Sequence, residues 1–313
     1  MKRLLCLTVD TDPDGLSGRV TNRQTLSFES LSNLLNLRGE IGYQTQYSVP
    51  LTWFIRVDGQ LESVLGSAEY LLEKHNSAWT ELQKAGHELA WHPHLYRQPR
   101  QADPATLISD PMEAGDELER LWESIKNSFH PQAFRNGEGW HTPKTYAVIE
   151  NFGFGCDSTA IPGRRGSNGH PMNWEKAPNL PYFPSAGDLC TPGAPRPMVE
   201  LPMNTWRLQG PDDATARLRY LNPAVHPHIF AKALKNWENA RTEVGVEFCV
   251  WVMIFHPDEV DPNQPADALY SRSVRDLTTN LAAFVDSVRR LQHEFEWSTI
   301  SNAAARWRSF HKA

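Results

Sequence analysis

Five short polar clusters, each just after an apolar run, together look like one divided active site in this 313-residue chain. They are Asp10-Thr11-Asp12 after RLLCLTV, His92-Pro93-His94 after GHELAW, Arg135 in FRNGEGWH, Asp157-Ser158 after FGFGC, and His256-Pro257-Asp258-Glu259 after EFCVWVMIF. Together they offer carboxylates and paired imidazoles as metal ligands, a further imidazole as an acid, and a guanidinium that can fork onto a carboxylate.

Spacing narrows these roles. On extended backbone, residues two apart share a face. Asp10 and Asp12 can therefore face one site, one binding a metal and the other acting as a base. A polar turn with Asp caps, helped by Pro13 and Gly15, is the competing reading. His92 and His94 share a face by the same rule, and Pro93 disfavours helix at His92. Two imidazoles so placed suit Zn²⁺, whereas His87 starts its strand and falls at the opposite end. Arg135 can orient a carboxylate or form an ordinary ion pair. Gly137, Gly139 and Trp140 predict a tight loop carrying an aromatic to the rim. His256 ends the longest apolar run, a position for a buried, neutral imidazole that Asp258 or Glu259 could orient. Pro257 and Asp258 also suit a plain turn. His226-Pro227-His228 follows no convincing strand and reads as a helix start, with substrate contact as the other reading.

The elements that must position these groups alternate. Strand-like runs fall near Leu4–Val9, Leu51–Ile55, His87–Trp91, Ala133–Phe134, Gly155–Cys156, Met198–Leu201, Val246–Phe255 and Phe295–Ser298. Helical spacing marks Ala68–Lys84, Ala114–Ser128, Lys144–Phe152, Ile229–Arg241 and Val274–His293. Alternation over the whole chain predicts an α/β fold with a parallel sheet. In a parallel barrel, chemistry gathers at the carboxyl ends of the strands, so clusters distant in sequence meet on one rim. Ile161–Pro197, rich in Pro and Gly, is too long for an ordinary connection and reads as a functional loop or lid. Pro13–Pro50 reads as a second long insertion.

Composition sets outer bounds. Forty percent hydrophobic and 22% charged residues describe an ordinary globular protein, and a net charge of −6 argues against a nucleic-acid partner. No stretch reaches the roughly 18 apolar residues of a membrane span. The apolar run at the start stops at Asp10, short of a secretory signal, so the expectation is cytoplasmic. Cys6, Cys156, Cys190 and Cys249 lack CxxC spacing, and a disulfide framework is not expected. The number of subunits is not legible.

Taken in order, TVDTD, GHELAWHPH, FRNGEGW, GFGCDST and VMIFHPDE resemble the motif series of the polysaccharide deacetylases, the NodB-like group also called carbohydrate esterase family 4. The resemblance runs from about residue 4 to residue 259. It implies a distorted (β/α)7-type barrel, one domain over residues 1–313 with long loop insertions. It implies a divalent metal, commonly Zn²⁺, on Asp12, His92 and His94, with Asp10 as base, Arg135 orienting Asp10, and His256 as acid. Two departures stand out. Thr11 separates acids that are usually adjacent, and the usual i, i+4 spacing would put Tyr96 where the second His belongs. Asp14 is a spare candidate ligand. Trp140, Trp174 and Tyr96 fall in or near rim loops and suit the apolar faces of sugar rings, and Asp157 would shape the rim. The implied activity is hydrolysis of an N-acyl group, most simply N-acetyl, from a carbohydrate or other small amide. A cyclic-amide (allantoin-type) hydrolase of the same fold and a non-catalytic carbohydrate-binding barrel are the competing readings.

Overall fold

Strand β1 (Lys2–Asp10) is buried along all but its first residue. Its side chains alternate between two apolar layers. Leu5, Leu7 and Val9 belong to a layer shared with the helices, whereas Leu4 and Cys6 belong to a smaller inner cluster. The inner cluster also takes Phe54, Ala90, Ala133, Cys156, Val199 and Val252, so that each of the other strands of the parallel wall contributes to it. That is a barrel interior, and Asp10 lies in register with its inner face. The computed structural model describes residues 2–15, 26–45, 48–100, 103–167, 169–239, 246–291 and 293–312.

From β1 the chain forms helix α1 (Glu29–Thr45), strand β2 (Leu51–Ile55) and three short helices, α2 (Gly59–Leu65), α3 (Tyr70–Lys74) and α4 (Asn76–Lys84). Strand β3 (Glu88–Trp91) follows, then a small antiparallel pair, β4 (Tyr96–Arg97) and β5 (Thr106–Leu107). Helix α5 (Pro111–Ile125) starts where Asp110 accepts the amides of Met112 and Glu113, and it buries Ala114, Leu118, Leu121 and Ile125 along one face. Strand β6 (Ala133–Phe134), helix α6 (Pro143–Asn151), strand β7 (Cys156–Asp157) and strand β8 (Val199–Glu200) complete the middle of the wall. A hairpin, β9 (Thr205–Leu208) with β10 (Arg217–Tyr220), precedes helix α7 (Pro227–Asn239). Strand β11 (Phe248–Phe255) leads into helices α8 (Pro257–Val260) and α9 (Val274–Arg290), then strand β12 (Glu294–Trp297) and helix α10 (Ile300–Lys312).

Seven parallel strands pair in the order β11-β1-β2-β3-β6-β7-β8, with β12 on the first half of β1. The gap between β8 and β11 is bridged by one residue. Asn204 donates its amide to Val252 O at 3.2 Å, and its side-chain oxygen accepts the Val252 amide at 2.5 Å. The sheet thus curls into a distorted (β/α)7-type barrel, as expected. Helix α10 covers the amino-terminal end: Ile300, Ala303, Ala304 and Trp307 join the inner cluster, and Phe310 stacks on Phe248 at the start of β11. Only the carboxyl-terminal rim is left for chemistry.

All eight expected strands are present, and each bound differs from the expected one by two residues or fewer. Three readings change. Pro13–Pro50 holds the helix α1, obscured in the sequence by Gly39 and Gly42; residues 16–25 and 46–47 of that stretch lie outside the described residues. Ala68–Lys84 is two helices separated at His75. The β9–β10 hairpin and α10 had no reading at all. Ile161–Pro197 is irregular as expected but well packed, with Ile161, Met172, Trp174, Tyr182 and Leu189 buried. His226-Pro227-His228 does open a helix. Among the described residues no helix is long and apolar enough to cross a membrane.

Candidate active site

Asp10 ends β1 with 4% of its surface exposed. Its Oδ1 lies 2.5 Å from Arg135 Nη1. Arg135 comes from the loop after β6 and is fully buried, a position a guanidinium holds only when its donors are met. Besides Asp10, it donates to Thr8 Oγ1 at 3.0 Å, to Ser158 O at 2.9 Å and to Ser158 Oγ at 2.9 Å. Its plane lies 3.9 Å from the Phe54 ring centre. Ser158, not Asp157, is therefore the member of that cluster that serves the site.

Asp12 faces the histidine pair. Asp12, His92 and His94 each present a ligand atom, and these atoms lie within 4.8 Å of one another. His92 Nδ1 sits 2.8 Å from Arg135 O, which fixes the ring so that Nε2 keeps its lone pair for the site. His94 Nε2 is 3.2 Å from His92 Nε2 and 2.9 Å from Asp12 Oδ1. Extended backbone at His92 and His94 is pinned by His92 N donating to Ile55 O at 2.9 Å and His94 N donating to Asp58 Oδ2 at 3.1 Å. The charges favour a cation here. Burial opposes ionised Asp12, yet His94, His92 and His256 together outweigh it and hold the carboxyl well below its usual range. Burial likewise opposes charge on His94, and Asp12 still lifts it to about 9. Burial keeps His92 below the ordinary imidazole range despite Asp10 and Asp12. Asp12 Oδ1 is buried with no aligned hydrogen-bond donor. One carboxylate and two imidazoles with an orphaned acceptor fit a divalent metal ion.

Glu138 escaped the sequence reading. It occupies the left-handed region, φ 59° and ψ 11°, inside the 3-10 turn Gly137–Gly139. Its Oε1 lies 3.6 Å from His94 Nδ1, the side of the ring away from Asp12. Burial pushes the Glu138 carboxyl up, but His94 and Tyr96 together hold it below the usual carboxylate range. Gly137 is required beside it, because a Cβ there would collide with the His94 ring. A Gly-Glu-Gly run was the available signal.

His256 stands across the cleft, its Nε2 3.6 Å from Asp12 Oδ2. Glu259, rather than Asp258, orients it: Oε2 accepts the His256 amide at 2.9 Å and Oε1 lies 3.2 Å from Nδ1. Asn222 holds that carboxylate from behind at 2.8 Å. The expected neutral imidazole is not what results. Burial does favour neutrality, but Glu259, then Asp12 and Asp10, raise the His256 pKa well above its usual value. Asp258 instead accepts the Gly15 amide at 3.1 Å and pairs with Arg272. Asp14 accepts the amides of Glu29 and Ser30 and so caps α1 rather than joining the ligands.

The cleft has a volume of about 440 Å³ and is lined by Asp10, Asp12, His92, His94, Arg135 and His256 among others. Trp140, Trp174, Tyr96 and Asp157 do not line it. Trp140 and Trp174 are 1% and 2% exposed and serve as buttresses: the Trp140 carbonyl accepts from Asn136, and Trp174 Nε1 donates to Gly139 O. The Trp174 ring satisfies the tight turn from beneath, and the Trp140 ring is buried instead of meeting solvent. Tyr96 stacks behind His94, ring centres 6.1 Å apart. Asp157 is fully buried, with Oδ1 accepting from Thr159 and Oδ2 3.4 Å from His141 Nε2.

By sequence the chain matches no protein-family profile and no curated protein. By structure it is similar to a candidate polysaccharide deacetylase from Mycobacterium smegmatis, with TM-score 0.51, 20% identity, and 99% of this chain and 91% of that one covered. It is similar to a candidate glycoside hydrolase/deacetylase from Parabacteroides distasonis, with TM-score 0.61, 15% identity, and 98% and 71% covered. The PuuE allantoinase matches with TM-score 0.54, 14% identity, and 99% and 92% covered. Identities this low speak to architecture, and in architecture the chain shares the barrel fold of these deacetylase-like structures and of the allantoinase.

Proposed function

We propose that the whole chain is one hydrolase domain that removes an N-acyl group, foremost N-acetyl, from an amino sugar or sugar-bearing precursor. The observation that carries the proposal is one cleft holding the Asp12–His92–His94 set between an arginine-held carboxylate and a carboxylate-held imidazolium. When bound on that set, a divalent ion, Zn²⁺ for these donors, acidifies water and polarises the acyl carbonyl. Asp10, held by Arg135, takes the proton from the attacking water. His256, held charged by Glu259, gives its proton to the leaving nitrogen, which would otherwise depart poorly as an amide anion. Arg135 transfers no proton and serves to fix the Asp10 carboxylate in place.

The test pairs metal analysis with two substitutions. His92→Ala should lose the metal itself. His256→Ala should keep it and lose about 10²–10⁴-fold in rate. Full metal occupancy and full rate in the His92→Ala protein would sink the ligand assignment. A cyclic-amide hydrolase is the second reading, favoured by the allantoinase likeness. Acetylated amino sugars assayed beside ureides separate the two. A purely binding barrel has no use for a held base and a held acid in one cleft, which argues against it.

A further inference from the structure

The cleft divides by charge. Its floor is acidic, and each acid there is engaged: Asp10 with Arg135, Asp12 with the histidines, Glu138 with His94, Glu259 with His256, Asp258 with Arg272. Its lip, formed by the loop after β7 and the β10 strand, carries Arg164, Arg165 and Arg219. Arg165 faces solvent opposite Glu175, at 3.6 Å. The other two turn toward a side chamber of about 180 Å³, lined by Arg164, Arg219, Tyr220 and Tyr270, which also line the cleft, and by Leu208 and Leu269.

Two features of the chamber are unexplained by the fold. Arg164 is half-buried with its guanidinium 5.2 Å from the Tyr220 ring centre. Among the described residues it has no carboxylate partner. Stacking on a ring leaves the in-plane N–H donors of a guanidinium free for a ligand's oxygens. Arg219 gives Nη2 to Asp213 at 2.8 Å, but its Nε is buried without an acceptor. A buried cationic donor left unmet costs free energy unless something fills the place.

We propose that this chamber is an oxyanion subsite, so that the compound hydrolysed carries a carboxylate or phosphate besides its amide. This rests on the hydrolase reading for the word "hydrolysed", not for the binding itself. An anion held by Arg164 and Arg219 would orient the substrate with its amide over the floor of the cleft.

Binding is read without turnover by titrating the purified protein with glucosamine 1-phosphate, muramic acid and glucosamine, which lack the scissile bond. The two compounds that bear an oxyanion should bind at least about tenfold tighter than glucosamine, since charge-assisted bonds in a partly enclosed site are worth about 1.4 kcal/mol or more. Arg164→Ala and Arg219→Gln should each cut that preference below threefold while leaving glucosamine binding unchanged, which also shows that the variant is folded. A preference for only one charged compound identifies the anion as phosphate or carboxylate. Equal binding of all three compounds by the parent protein overturns the proposal. So does a charge preference that survives both substitutions, because the anion then sits on the metal set. If the preference behaves as expected and no N-acyl compound of either charge is hydrolysed, the subsite stands and the hydrolase reading falls.

Discussion

Glu138 allows a test in which two quantities move in opposite directions. Its carboxylate supports His94 from the far side of the ring, and its backbone sits at φ 59°. Groups that hold a metal-binding histidine from behind typically contribute 10–100-fold in metal affinity, or about 1.4–2.7 kcal/mol. The left-handed region costs a residue with a Cβ about 1–2 kcal/mol, and glycine nothing comparable. Glu138→Gln removes the charge and keeps the strain. Glu138→Gly removes both, less about 0.4–1 kcal/mol for the freer unfolded chain. Both variants should lose about 10–100-fold in Zn²⁺ affinity by chelator competition. In urea denaturation without metal, the glycine variant should exceed the glutamine variant by about 0.5–1 kcal/mol. Glutamine binding Zn²⁺ within twofold of the parent would refute the support role. A glycine variant no more stable than the glutamine one would refute the stored strain.

Three further outcomes follow from the contacts. Arg135→Met strands a buried carboxylate, and breaking a buried pair from one side costs about 3–5 kcal/mol. Adding Asp10→Asn should recover about 1–3 kcal/mol of that in a double-mutant cycle by urea denaturation, and simple additivity would contradict the pairing. Glu259→Gln keeps the shape beside His256 but removes the charge, so the rate should fall by part of the about 10²–10⁴-fold that a general acid contributes, at unchanged metal content; loss of metal instead would mean that Glu259 serves the ligands. Glu200 is raised well above the carboxylate range by burial and then by Asp157, so it folds protonated. A raised folded pKa means its contribution is present below the unfolded value and lost as pH rises toward the folded one. Glu200→Gln should therefore stabilise at pH 8 and not near pH 4, and no gain at pH 8 would show that the pair ionises freely.

Period-2 burial and helical spacing made the strands and several helices legible, because each buries a face that the sequence must keep apolar. Asp10, Asp12, His92, His94, Arg135 and His256 were legible because each follows a strand in a topology that gathers strand ends. What failed has physical causes. Trp140 and Trp174 were read as rim aromatics because sequence shows that a loop carries them, not which side of the loop faces the core. Glu138 acts from a turn conformation and Ser158 partly through its backbone carbonyl, neither of which side-chain type records. His256 was expected neutral from its apolar run, whereas its charge is decided by Glu259 three residues on and by two aspartates from β1 and its end.

The i, i+2 spacing of the histidines, odd beside the pattern the sequence resembles, is accounted for by what holds the backbone. An i, i+4 pair meets on one face where the chain is helical. Here β3 runs on extended: His92 N bonds Ile55 O and His94 N bonds Asp58 Oδ2, while Pro93 O accepts the Gly137 amide at 2.8 Å. Extended backbone brings positions two apart to one face, so His94 and not Tyr96 reaches Asp12. Asp58 is fixed for this task by Arg56, whose Nε donates to it at 2.8 Å. Thr11 follows the same logic: with one residue between them, Asp10 and Asp12 reach the same cleft, Asp10 toward Arg135 and Asp12 toward His94. Both departures then share one feature, polar residues two apart just past a strand end that reach one cleft, and the Tyr96 ring stacks behind His94.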